Sequence, residues 1–365
     1  MNELFSSDRE RFMITKLLPV DIVLSPEWWN RHAGITFDRD FFFHPLKRVE
    51  SEQKMEKTLY EKWGKYGPGS DSNLIRPEIG AVHLAAGFML SGMMGCEIRY
   101  AGNHPPQVIP AQREDMTLSV EDAFKSDDFR DFINLTEKLK KKYGYLTGDV
   151  NWGGILNIAL DLRGESLFTD LLTIPEESRE FLRKISWMID RFVNGIRSET
   201  GTSSISVNRN VRHFGEPVFL HSECSHTMIS VADYEDLLLD FDLEWSRQNR
   251  PFGIHYCGND PHRFAESFSK IENLDFLDVG WGGDVLTLRK YLPNTFLNIR
   301  LDPVRLNEYS DMELETTITR LVKDSGNPWL TGICCINMDD QTEDSKIDTI
   351  FRTVIALRKF YQTET

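Results

Sequence analysis

After residue 200, short apolar runs alternate with amphipathic stretches. The runs Pro217-Val218-Phe219-Leu220, Phe252 to Cys257, Phe276-Leu277-Asp278-Val279, Phe296 to Leu301 and Gly332 to Met338 are separated by helical patterns such as Ala232 to Asn249 and Glu313 to Lys323. Short apolar runs bounded by turn residues read as buried strands, and strands alternating with helices imply a parallel sheet. Closed on itself, such a sheet is a (β/α)8 TIM barrel, an α/β fold that gathers functional residues at the C-terminal ends of its strands.

The same rhythm begins more weakly at Pro77. Ala81 to Met89 fits a strand or a buried helix, Leu118 to Tyr143 contains a charged helix ending in Lys138-Leu139-Lys140-Lys141-Lys142, and Pro175 to Ile196 is a long helix. Lysines in a last turn suit the negative end of the helix dipole. Residues 1–75 read as a helical cap, with apolar residues at mixed three and four spacings over Phe12 to Leu18 and Glu52 to Tyr66; residues 76–365 then form the barrel. Trp28-Trp29 and Phe41-Phe42-Phe43 either pack this cap onto the barrel or form an aromatic cover over a pocket.

Candidate chemistry lies at the expected strand ends. Alternation along Gly253-Ile254-His255-Tyr256-Cys257 sends His255 and Cys257 to one face, and Cys334-Cys335 offers a further thiol at the end of another apolar run. One imidazole and two thiolates, with a fourth position open, suit a catalytic zinc site; the competing reading is a buried histidine and free cysteines in the core. Glu223, in the run His221-Ser222-Glu223-Cys224, is a candidate ligand or proton donor. Asp278 is a candidate catalytic or supporting residue at a strand end near the metal, and Asp302 a turn residue. His221, His226 and Cys224 are weaker candidates.

Composition narrows the partners. The 365 residues carry a net charge of -15, which argues against a nucleic-acid surface, and 40% hydrophobic and 11% aromatic residues supply an ample core. No run of about 18 apolar residues occurs, and the N-terminus lacks the apolar centre of a signal peptide, so a cytoplasmic protein without a membrane span is expected. The five cysteines follow no disulfide-framework spacing, as expected of reduced thiols. A homodimer is left open.

From about Gly148 to Tyr361 the chain resembles the uroporphyrinogen decarboxylase superfamily. The residues that carry the resemblance are Trp152-Gly153-Gly154-Ile155 with Leu162-Arg163-Gly164 and Pro175-Glu176, Ile229-Ser230 before Tyr234, His255-Tyr256-Cys257-Gly258-Asn259, and Leu301-Asp302-Pro303, with Met94-Gly95-Cys96-Glu97-Ile98-Arg99-Tyr100 upstream. The resemblance implies a (β/α)8 barrel. True decarboxylases of this family carry an R-x-x-G-R signature, which residues 1–60 lack. The corrinoid-dependent methyltransferase branch carries a zinc site of the form H-x-C followed by a distant Cys, matched here by His255, Cys257 and Cys334, 77 positions beyond Cys257. The run Ile336-Asn337-Met338-Asp339-Asp340-Gln341 departs from the Pro- and Gly-containing loop usual in the family.

The chemistry such a site allows is methyl transfer. A thiol loses its proton on zinc, and an ether oxygen is polarised there. The expected partner is a corrinoid (cobalamin) cobalt on a separate protein, because the chain has no D-x-H-x-x-G corrinoid signature. Trp281 and Tyr256 near the strand ends, with Arg300 the sole arginine in the C-terminal runs, favour O-demethylation of a methoxylated aromatic or other apolar donor. The alternatives are methyl transfer to a small anionic thiol, a metal-free decarboxylase, and a non-catalytic zinc protein.

Overall fold

The computed structural model describes residues 13–72, 87–146, 151–201 and 210–363. Eight strands are present among them: β1 (Val20–Leu24), β2 (Glu97–Arg99), β3 (Gln107–Ile109), β4 (Phe219–Ser222), β5 (Phe252–His255), β6 (Leu274–Val279), β7 (Phe296–Leu301) and β8 (Thr331–Met338). Six of them form one parallel sheet in the order β1-β8-β7-β6-β5-β4, which curls as part of a barrel, while β2 and β3 make a small antiparallel pair. The five apolar runs after residue 200 are the five strands β4 to β8. Their residues are almost all buried, as expected of strands covered on one face by helices and filled on the other by side chains.

The helices follow their local signals. A capping box of Ser310 and Glu313 opens Asp311–Asp324, and the pattern from Ala232 to Asn249 is two helices, Val231–Leu237 and Leu239–Gln248. Asp302 accepts from the backbone N–H groups of Val304, at 2.9 Å, and Arg305, so it is the N-cap of Pro303–Glu308. No helix among the described residues is long and apolar enough to cross a membrane.

The N-terminal segment combines helices with one strand of the barrel sheet. It is helical over Pro26–Ala33, Arg39–Phe43 and Pro45–Trp63, but residues 13–18 are turn and bend, and β1 pairs with β8 along the barrel sheet. Val20–Leu24 thus joins the barrel sheet: an isolated strand would leave its backbone groups unpaired, and β8 supplies the partner. Trp28, Trp29, Phe41 and Phe42 are core residues rather than a cover, with Trp28 5.9 Å from Trp63 and Phe42 5.0 Å from Phe88, ring centre to ring centre. Ala81 to Met89 lies mostly outside the described residues; Met89 opens a short helix ending at Met93.

Candidate metal centre

Strand register builds the site in two rows. Ser222, His255, Asp278, Asn298 and Gly332 pair laterally from β4 to β8, and two residues further along Arg300 pairs with Cys334. Side chains two apart share a face, so polar groups on strands otherwise made of Phe, Leu, Ile and Val converge inside the barrel. Buried polar groups are costly unless bonded, and these are bonded to one another. The His255 Nδ1 stands 2.5 Å from Asp278 Oδ2, Asn298 Nδ2 donates to Asp278 Oδ1 at 3.0 Å, and Asn210 Nδ2 donates to Asn298 Oδ1 at 2.8 Å.

With Nδ1 held as a donor to a carboxylate, the Nε2 lone pair of His255 is the one left for a metal. The ligand atoms of Cys224, His255 and Cys257 lie within 4.8 Å of one another, and among the described residues these three form the group suited to a metal ion. Two soft thiols and an imidazole backed by a carboxylate fit Zn²⁺. Without metal, the Cys257 thiol is held well below the ordinary range, chiefly because the Cys224 thiol donates to it; His255 and Arg300 add to this against the opposing effect of burial. The same bond, with burial, pushes Cys224 up. Burial works to lower His255, but Asp278 and Cys257 outweigh it and carry its pKa to about 9.

The third member of this group is Cys224, not Cys334. Cys224 follows β4, which neighbours β5, whereas β8 is three strand positions from β5 at about 4.8 Å each. Arg300 on β7 stands in register with Cys334 on the way. The Cys334 thiol is fully buried and pushed well up by burial and by Asp278; its sulfur lies 3.3 Å from Asn298 Nδ2 and 3.9 Å from Asp278 Oδ1, so it packs beside the support of His255 rather than with the other two sulfurs. Cys335 points away, toward the Leu301 carbonyl.

Glu223 has a different place from the one expected. It is completely buried, and its oxygens accept from the backbone N–H of Leu156 at 2.7 Å, of Asn157 at 3.2 Å and of Ser225 at 3.0 Å. It thereby caps Ile155–Arg163, whose own N-cap, Gly154, has no side chain to offer. A Cβ on Gly154 would collide with the Glu223 carboxyl, so the close approach requires glycine. This bond set fixes the turn that presents Cys224, whose N–H donates to Asn157 Oδ1 at 2.8 Å. Behind it, His221 Nδ1 meets Asp242 at 2.7 Å and Tyr234 donates to the same carboxylate at 2.7 Å. His226 is buried among Tyr234, Tyr256, Phe264 and Phe268.

A cavity of about 270 Å³ opens over the cluster, with Cys224, His255, Cys257, Trp152, Asp161 and Arg300 among its lining residues. Arg300 is 3% exposed; its Nη1 is 3.5 Å from the Cys257 sulfur and its guanidinium lies over the Trp281 ring at 5.1 Å. Cys224 shares the strand-end position of His255 and Cys257, but its place beside them rests on the adjacency of β4 and β5, which no local spacing carries.

Fold and site together define a parallel α/β barrel with thiol and imidazole donors near the ends of its strands. Its structure is similar to that of a methyltransferase from Methanosarcina mazei, at 13% identity over 98% of each chain with a TM-score of 0.67. It is also similar to a B12-independent methionine synthase from Shewanella sp. W3-18-1 in complex with selenomethionine, at 10% identity over 96% of this chain and 99% of that one, with a TM-score of 0.51. At these identities the likeness is one of fold. No family model and no curated protein matches the sequence.

Proposed function

We propose that this chain is a zinc-dependent methyltransferase of the cytoplasm that moves a methyl group between a small organic substrate and the cobalt of a corrinoid on a separate protein. The observation that carries the reading is the Cys224, His255 and Cys257 group at the floor of a cavity, with the far nitrogen of His255 bonded to Asp278. A closed structural zinc site would have four protein donors; three donors facing a cavity suit a catalytic one. The likeness in fold to a protein named as a methyltransferase supports the same reading.

The favoured substrate is a methoxylated aromatic. A zinc ion held by these three residues would serve as a Lewis acid toward an ether oxygen or a thiol. Asp278 keeps the His255 proton on Nδ1, Arg300 steadies the Cys257 thiolate, and Trp152 and Ile336 give the cavity apolar wall against a ring. In the reaction the O–CH₃ bond breaks with its electron pair left on oxygen, a proton from solvent completes the phenol, and the partner's Co(I) takes the methyl group to become methyl-Co(III).

The test is to mix zinc-loaded protein with a reduced corrinoid protein and a panel of methoxylated aromatics, methylamines and methyl thiols, following the cobalt spectrum. Methylation of Co(I) by a methoxylated aromatic is the expected result. Methylation by a non-aromatic donor alone would overturn the substrate, and demethylation of methyl-Co(III) by a thiol alone would reverse the direction.

A further inference from the structure

A guanidinium taken out of water needs a counter-charge or a full set of acceptors. Arg300 is only partly supplied among the described residues: the Cys257 sulfur is its one hydrogen-bond contact there, and Asp278 acts on it through space. It is 3% exposed, makes no carboxylate ion pair among the described residues, and its Nε has no hydrogen-bond partner, while Nη1 is 3.5 Å from the Cys257 sulfur. A thiolate shared with a metal has little charge left to offer this cation. Arg300 lines the cavity over the metal donors, and so does Trp152, whose buried indole N–H also lacks a partner. Two buried donors without acceptors, on residues lining one cavity, leave room for a ligand that brings the acceptors.

We infer that Arg300 anchors an anionic group of the substrate, a carboxylate or a sulfonate, and so restricts the proposed methyl transfer to small organic acids; this rests on the reading of the site given above. The planar fork of arginine matches a carboxylate or sulfonate in two parallel bonds, which a neutral ether or amide cannot return with equal strength. Trp281, stacked against the guanidinium at 5.1 Å, holds its plane. Apart from the metal donors, the ionisable residue that shares the wall with Arg300 is Asp161, which accepts from Ser91 Oγ at 2.7 Å and repels an anion, so the acid group belongs at the Arg300 side. An aromatic acid bearing a methoxy group satisfies both the apolar wall and the anchor, and a thiol bearing a sulfonate satisfies the anchor alone.

Titration calorimetry on zinc-loaded protein, with zinc content measured separately, tests the anchor without any methyl transfer. The probes are 4-methoxybenzoate, its neutral analogue 4-methoxybenzamide, and 2-mercaptoethanesulfonate. The expected result is at least about tenfold tighter binding of 4-methoxybenzoate than of the amide, the size of one hydrogen bond to a charged group. In Arg300→Gln that preference is expected to vanish, and in Arg300→Lys to survive in part. Equal binding of acid and amide by the unaltered protein, or no binding of either acid, overturns the inference whether or not the variants fold. Preferential binding of 2-mercaptoethanesulfonate over 4-methoxybenzoate would keep the anchor and make the substrate the thiol acid. A protein that selects the acid yet methylates no corrinoid keeps the anchor and loses the proposed function; one that methylates without selecting the acid does the reverse.

Discussion

The carboxylate of Asp278 stands 2.5 Å from Nδ1 of His255, across a lateral pair of adjacent strands. Strand register alone sets this distance, so the imidazole reaches the metal position already oriented. Replacing Asp278 by Asn keeps the shape but removes the acceptor charge, and zinc affinity is expected to fall roughly 10- to 100-fold. Competition with a chelator of known affinity measures it; an unchanged affinity would remove Asp278 from the site.

Zinc content separates the two candidate thiols. Protein purified without chelator and reconstituted with zinc is expected to hold one zinc per chain. Cys224→Ser, Cys257→Ser and His255→Ala should lose it, while Cys334→Ser should retain it because its sulfur sits with Asn298 and Asp278. Elemental analysis decides. Loss of zinc in Cys334→Ser with retention in Cys224→Ser would reverse the assignment.

Glu223 is expected to matter for stability more than for chemistry. Its Ala variant strips a charged acceptor from three buried backbone N–H groups and should destabilise the fold by roughly 1.5–3 kcal/mol. Gly154→Ala should act in the same direction by pushing the carboxyl away. Denaturant midpoints give the answer. Full stability of Glu223→Ala with loss of methyl transfer would instead make it a catalytic group.

Among the buried groups that shape the pH dependence of the metal-free protein, His221 and His226 act in opposite directions. Burial works to lower His221, but Asp242 and Glu223 outweigh it and bring its pKa to about 9, above the ordinary 6.5; this contribution is complete below pH 6.5 and is lost as pH rises through 9. Burial lowers His226 to about 4, so its contribution is complete above 6.5 and is lost as pH falls through 4. The summed contribution of these two histidines is therefore greatest near pH 6.5. Asp242→Asn should flatten the alkaline side and His226→Phe the acid side, read as denaturant midpoints across pH in the presence of chelator.

Gly280 ties the Cys257 turn to the sheet. A Cβ there would run into the Gly258 carbonyl oxygen, backbone against backbone, with no flexible side chain to give way. Gly280→Ala is expected to displace the turn after β5 and weaken zinc binding even though residue 280 touches no metal. Retention of wild-type zinc affinity would show that the turn can shift freely.

The sequence by itself determined the alternation of strands and helices, hence the parallel barrel, because apolar periodicity is a local property that burial on two faces imposes on each strand. It also determined that His255 and Cys257 share a face, since a period of two needs only neighbours along the chain. Only the tertiary structure shows which thiol stands beside His255 and Cys257. The family resemblance implies Cys334, but reach depends on lateral strand order, and that order puts Cys224 next to β5 and Cys334 three strands away behind Arg300. The same holds for Glu223, a strand-end carboxylate in the sequence, which folding consumes as the cap of a helix some 66 positions earlier, and for β1, whose short run among helical patterns becomes a barrel strand only because β8 stands ready to pair with it. Local pattern fixes which face a side chain takes; hydrogen bonding between distant segments fixes what that face meets.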